Sequence, residues 1–88
     1  MKLTAVVKVK NRLGLHIRPA TAIVKLLQGT RSTVSFTFKG QTINAKSIMS
    51  LLVLSAQKNA KIQVEVEGED AEIVLHKLID GFDNLFGE

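Results

Sequence analysis

Apolar residues change period several times along the chain, and each change marks an element. Leu3, Ala5, Val7 and Val9 alternate with Thr4, Val6 and Lys8, the period-two pattern of a strand with one buried face that runs to about Val9. After a loop over residues 11–15, Ala20, Ile23, Val24 and Leu27 recur at i, i+3, i+4 and i+7, which predicts an amphipathic helix ending at Gly29. Val34, Phe36 and Phe38 alternate with Ser35 and Thr37, Lys39-Gly40 supplies a turn, and Gln41 to Asn44 returns as the second arm of a hairpin. The run SIMSLLVL is short enough for a two-turn helix capped by Ser47. Ile62, Val64 and Val66 alternate with Gln63, Glu65 and Glu67 in a last strand. Gly68-Glu69 turns the chain, and Ala71, Val74, Leu75, Leu78, Phe82, Leu85 and Phe86 mark one face of a long closing helix. Gly81 in the middle of that helix costs it about 1 kcal/mol relative to Ala.

The order is β, α, β, β, α, β, α. It predicts an α+β fold, a two-layer open-faced sandwich in which a four-stranded antiparallel sheet is covered on one face by three helices. The other sheet face must be wet, because Lys8, Glu65 and Glu67 point to it. Residues 1–88 read as a single domain, without repeats or a linker.

Charge sharpens this picture. The net charge of +4 is the sum of +11 up to Lys61, with eleven Lys or Arg and no acid, and −7 from Ile62 onward, with eight acids and one Lys. An acid-free segment that long points to an electronegative partner, unless the fold mixes the two parts in space. A nucleic-acid-binding module is disfavoured, since four Phe with no Trp or Tyr leave few stacking residues and no recognition motif is present. With no cysteine, disulfides and thiolate chemistry are excluded, and two separated histidines do not make a metal site. MKLTAVVKVK is interrupted by lysines and lacks the apolar core of a signal peptide, and no stretch of about 18 apolar residues occurs, so a cytoplasmic protein is expected.

The chemistry concentrates in GLHIRPAT, Gly14 to Thr21. Pro19 in the first turn of a helix starting near His16 breaks no helical bond and suits the helical φ. Free amides at that end carry about half a unit of positive charge, which attracts anions and keeps an imidazole neutral and nucleophilic. Arg18 adds a full charge and a fork that grips phosphate oxygens. Both effects favour a phosphoryl group on the ring, which makes His16 a candidate phosphohistidine. Taken alone, the same residues also read as a polar surface histidine and a solvated arginine. His76, among Leu75, Lys77 and Leu78, is expected to be an ordinary packing or surface residue without an acidic partner one turn away. A phosphatase would need a water-activating base, and the acid-free stretch offers no carboxylate for one.

GLHIRPAT around His16 and KSIMSLL around Ser47, with the predicted element order running the full chain, resemble the histidine-containing phosphocarrier (HPr) family of the phosphoenolpyruvate-dependent phosphotransferase system. The resemblance implies that His16 is phosphorylated on the δ1 ring nitrogen and that Arg18 binds the phosphoryl group. It implies enzyme I as donor and enzyme IIA components as acceptors, in sugar uptake or its regulation, with no cofactor, no membrane partner and no turnover without partners. The chain is then expected to be a monomer. It also implies that Ser47 is a target of an HPr kinase/phosphorylase, where on residue type alone it is a helix cap. SIMSLLVL holds more apolar side chains than one buried face can hide, so Ile48 and Met49 are expected to be exposed, ringed by Lys25 and Lys46, for transient docking. Ile17, where the family commonly has a small residue or threonine, and Ser50, Ala56 and Ala60, where it often has glycine, depart from the pattern and bear on docking. The nitrogen-related phosphocarrier paralogues, which share NRLG-like entries to the histidine, remain an alternative.

Overall fold

The structure is a computed structural model and describes residues 1–88. Its elements are β1 (Lys2–Lys8), α1 (Ile17–Leu27), β2 (Thr33–Phe38), β3 (Gln41–Asn44), α2 (Ile48–Leu54), β4 (Lys61–Glu67) and α3 (Ala71–Asp83), followed by a short 3-10 turn, Leu85–Gly87. The strands form one antiparallel sheet in the order β1-β4-β2-β3. The expected βαββαβα sandwich is therefore the fold. None of its helices is long and apolar enough to cross a membrane.

Register explains which side is dry. Ala5 and Phe36 both face Val64 across the central strand, and Val34 and Leu3 both face Val66, so one set of alternate positions shares a face. That face carries Val7, Val34, Phe36, Ile62, Val64 and Val66 into the core. The helices cover it with Ala20, Ile23 and Leu27 of α1, Leu51 and Leu54 of α2, and Val74, Leu78 and Phe82 of α3. Thr4, Glu65 and Ser35 form one cross-strand row on the opposite face, where polar side chains keep their water.

The charge asymmetry is partly absorbed by folding. Lys2–Glu65 (3.5 Å), Lys10–Asp83 (3.2 Å) and Arg31–Glu69 (3.1 Å) each join an early cation to a late acid. Exposed pairs of this kind add little stability, but they mix the two parts of the chain in space.

The closing helix departs from expectation. It ends at Asp83, where Asn84 bonds the Asp80 carbonyl through both its amide and its side chain (each 2.9 Å). Leu85 and Phe86 then take left-handed φ values of 55° and 49°, which no helix can continue. Helical spacing placed both residues on the buried face, and they remain half-buried by folding back instead. Phe86 packs edge-on against Phe82, with centroids 4.9 Å apart, and Phe82 in turn meets Phe36 of the sheet at 5.7 Å. This turn brings residue 88 to the start of α1.

Candidate functional site

His16 is the N-cap of α1, with extended backbone (φ −75°, ψ −170°), and its carbonyl accepts the first helical bond from the Ala20 amide (3.0 Å). Two local features put it there. Pro19 is buried in the first turn, where it has no helical bond to lose. Gly14, at φ 71°, lies so close to the loop before β4 that a Cβ would collide with the Ala56 carbonyl and stand 2.8 Å from the Gln57 Cα. That approach lets the Leu15 amide donate to the Ala56 carbonyl (2.9 Å), pinning the histidine loop to the body of the protein.

The Ile17 and Arg18 amides precede the first intrahelical carbonyl, and the first turn of α1 contains no acid. Arg18 is exposed and forms no ion pair. With Ile17, Thr21, Ala22 and Lys25 it lines a shallow depression of about 300 Å³. A helix N-terminus and an unspent guanidinium thus give the site positive potential, with no competing anion on the helix itself.

The His16 side chain keeps about 25% of its surface exposed, so it is neither sealed in the core nor fully solvated. Its two nitrogens differ. Nε2 is buried and lies 2.5 Å from Oε2 of Glu88, off the axis of a linear hydrogen bond, whereas Nδ1 is not sealed. The carboxylate that the acid-free stretch does not supply is thus brought to the ring from residue 88. Acid-free local sequence says nothing about what the segment after α3 delivers. Glu88 is held by Asn11, whose fully buried side chain donates from Nδ2 to Glu88 Oε1 (2.7 Å) and to the Leu85 carbonyl (2.9 Å). The Asn11 hydrogen bond, followed by the His16 ring and the Arg18 guanidinium, holds the Glu88 carboxyl below the usual range against an opposing desolvation cost. Asn11 and Glu88 carry no motif of their own. The one available hint is a neutral amide opening an otherwise basic and apolar loop.

Ser47 is the N-cap of α2, its Oγ accepting from the Ser50 amide (3.2 Å), so the cap reading holds. The docking pair needs correction. Met49 is 71% exposed, but Ile48 is half-buried, and the second exposed apolar residue of α2 is Val53 at 61%. Positions 49 and 53 are one turn apart and share the outward face, whereas 48 leans toward the side that buries Leu51. On α1, Ile17 is exposed to a similar extent (60%). Lys46 does not ring this surface freely, because its ammonium donates to the Thr30 carbonyl (3.1 Å). His76 is exposed, as expected, yet it does have an acidic neighbour, Asp80, at 3.8 Å one turn on.

Comparison with known proteins matches this arrangement to one family. The model described as "PTS HPr component phosphorylation site" matches residues 3–84. The phosphocarrier protein HPr of Chlamydia pneumoniae is 46% identical over 87 residues, covering 99% of this chain and 81% of that protein. The crystal structure of HPr from Thermoanaerobacter tengcongensis superposes with a TM-score of 0.93 at 30% identity, covering 98% of this chain and 97% of the other. That of Bacillus anthracis HPr gives 0.85 at 32%, over 90% and 94%. The chain belongs to the PTS HPr family. Its role is that of a phosphocarrier of the phosphotransferase system.

Within an HPr frame the departures at Ala56 and Ala60 have a structural reading. Their carbonyls receive the Leu15 and Val9 amides (each 2.9 Å), so these residues work through backbone and their methyl groups are accommodated, Ala56 being buried. Ile17 instead places an exposed branched side chain directly after His16.

Proposed function

We propose that His16 Nδ1 accepts a phosphoryl group from enzyme I and passes it to enzyme IIA components. The Nδ1 lone pair bonds to phosphorus as the donor's N–P bond breaks, and the same exchange runs forward to the acceptor. Arg18 and the free amides of α1 hold the phosphoryl oxygens. The observation that carries this reading is the pairing of an unsealed Nδ1 with an unspent Arg18 at an acid-free helix N-terminus. Met49, Val53 and Ile17 form the apolar part of the docking surface, with Ile48 behind it. Ser47 is the site for an HPr kinase/phosphorylase, where a phosphate would sit on the α2 cap beside Met49 and repel acidic partners. The protein acts as a cytoplasmic monomer.

Incubation with enzyme I and phosphoenolpyruvate, followed by intact mass and acid treatment, tests the acceptor. One acid-labile phosphoryl addition is expected. It is absent in His16→Ala, and it forms roughly tenfold or more slowly in Arg18→Ala, the loss of one charge-assisted grip. Labelling that survives in His16→Ala overturns the assignment.

A further inference from the structure

One end of the sheet's wet face sets lysines against one another. Lys8 of β1 stands directly opposite Lys61 of β4, and continuing the β2–β4 register two residues past Thr37 and Gln63 brings the turn residue Lys39 level with Lys61. Like charges placed directly across a strand pair destabilise it. All three lysines are exposed and none is paired with a carboxylate. The acids of the same face stand at its other end, where Glu65 is paired with Lys2 (3.5 Å). Folding thus pairs the early cations Lys2, Lys10 and Arg31 with late acids but leaves this group uncompensated. Lys39 and Lys61 line a cleft of about 650 Å³, together with Lys58 from the loop before β4 and with no acid. Gln57 and Asn59 line it as well, and their side-chain amides make no hydrogen bond to the chain.

We propose that this cleft is a second anion site, separate from His16, for a small molecule that carries two or more phosphate groups. The ammonium of Lys is a compact point charge that binds phosphate oxygens without a fixed fork, and three of them around one cleft call for more negative charge than a single carboxylate brings. The free amides of Gln57 and Asn59 supply neutral donors beside them. An anion held there also offsets the repulsion between Lys61 and Lys8, so binding removes a cost that the fold alone retains. The lining favours a small ligand over a macromolecule. Its apolar members are Phe38 and Ala60, and the Phe38 ring already lies under the Lys39 ammonium, 5.3 Å from its centroid. No free aromatic face is left for a nucleobase to stack on, and no apolar or aromatic anchor point serves a protein partner. Neither His16 nor Arg18 lines the cleft. The loop between α2 and β4 stands between the two sites, with Ala56 holding the Leu15 amide while Gln57 and Lys58 line the cleft.

The test is calorimetric titration of the full chain with inorganic tripolyphosphate at an ionic strength of about 0.15 M, where distant exposed charges are screened. Saturable binding is expected, about tenfold weaker in Lys58→Gln and in Lys61→Gln, each the loss of one charge-assisted contact. The same binding persists in Arg18→Ala, which removes the cation beside His16, and in Lys77→Gln, which removes an equal charge from the exposed face of α3. Thermal melts add a second readout. Without the anion Lys61→Gln melts at a higher temperature than the native chain, because Lys8 no longer faces a like charge, and tripolyphosphate raises the native melting temperature more than that of the variant. Equal affinity in the native chain and both cleft variants, or an equal loss in Lys77→Gln, reduces the effect to net charge and overturns the site. Binding lost only in Arg18→Ala overturns it by assigning the anion to the start of α1. Single-stranded RNA or phosphatidylglycerol vesicles that bind through Lys58 and Lys61 while tripolyphosphate does not overturn the small-molecule assignment. The site stands or falls independently of the acceptor role of His16.

Discussion

The Phe86 ring occupies the space that a side chain on Gly81 would need: a Cβ there would overlap Cε1 and stand 2.7 Å from Cδ1. The cost of about 1 kcal/mol that glycine imposes on a helix interior is thus offset by the return of the chain across α3. Gly81→Ala should push the ring out, lower unfolding stability by about 1–3 kcal/mol as an overpacked core site does, and loosen Glu88. Denaturant titration measures the first effect. The second is read from a change in the Asn11 side-chain amide signals, since that amide donates to Glu88, and an Ala variant as stable as the native protein refutes this packing.

Gly14 is the corresponding point at the other end of the site. Its left-handed φ and its closeness to Ala56 and Gln57 leave no room for a methyl group. Gly14→Ala should cost about 1–3 kcal/mol in stability and slow phosphorylation, because the loop that carries His16 must move. The pairing of both losses is the check; a stability loss with unchanged phosphorylation would show that the loop does not govern the ring.

Asp70 ties the start of α3 to the start of β2. Its carboxylate accepts from the Arg31 amide (2.8 Å), the Ser32 amide (2.9 Å) and the Ser32 hydroxyl, and these bonds, that of Arg31 foremost, hold its pKa below the ordinary value. A depressed folded-state pKa contributes stability that is present above the unfolded value and is lost as pH falls through the folded one. Native stability should therefore drop in acid, below about pH 4, and Asp70→Asn should be less stable at neutral pH while showing a shallower acid loss. Thermal melts from pH 7 to pH 2 give both slopes. Glu88 contributes with the same sign.

Met49 projects from α2 with 71% of its surface exposed, so the fold asks little of it. Met49→Glu should leave the melting temperature nearly unchanged and weaken enzyme I binding about tenfold or more, the effect of a charge placed in an apolar contact. Calorimetric titration decides it, and unchanged affinity would remove α2 from the docking surface.

Ser47→Ala removes the cap of α2 and should cost about 1 kcal/mol. The same variant should abolish any acid-stable, ATP-dependent phosphate added by an HPr kinase/phosphorylase. Phosphate retained in that variant would relocate the regulatory site.

Much of the molecule was legible from local pattern. The alternation in Leu3–Val9, Val34–Phe38 and Ile62–Val66, and the helical spacing of Ala20, Ile23 and Leu27, reflect side-chain periods of two and 3.6 that hold whatever the rest of the chain does. Pro19 and Gly14 likewise mark the entry to α1 through their own backbone constraints. Helical spacing misread the last residues, because Leu85 and Phe86 satisfy a period that the chain does not follow. The exposed pair on α2 was half right for a related reason: composition requires some apolar residues to be outside, but only packing against the neighbouring elements chooses Val53 over Ile48.

By itself, then, the order of residues determined the element sequence, the dry face of the sheet and the placement of His16 and Arg18 at a helix start. Only the tertiary structure decided that Asn11 and Glu88, 77 positions apart, would meet at that ring and make its two nitrogens unequal. Such a contact depends on where a turn after α3 delivers the chain, which the space over Gly81 and the edge-on and tilted contacts of Phe36, Phe82 and Phe86 settle, and no local period encodes it.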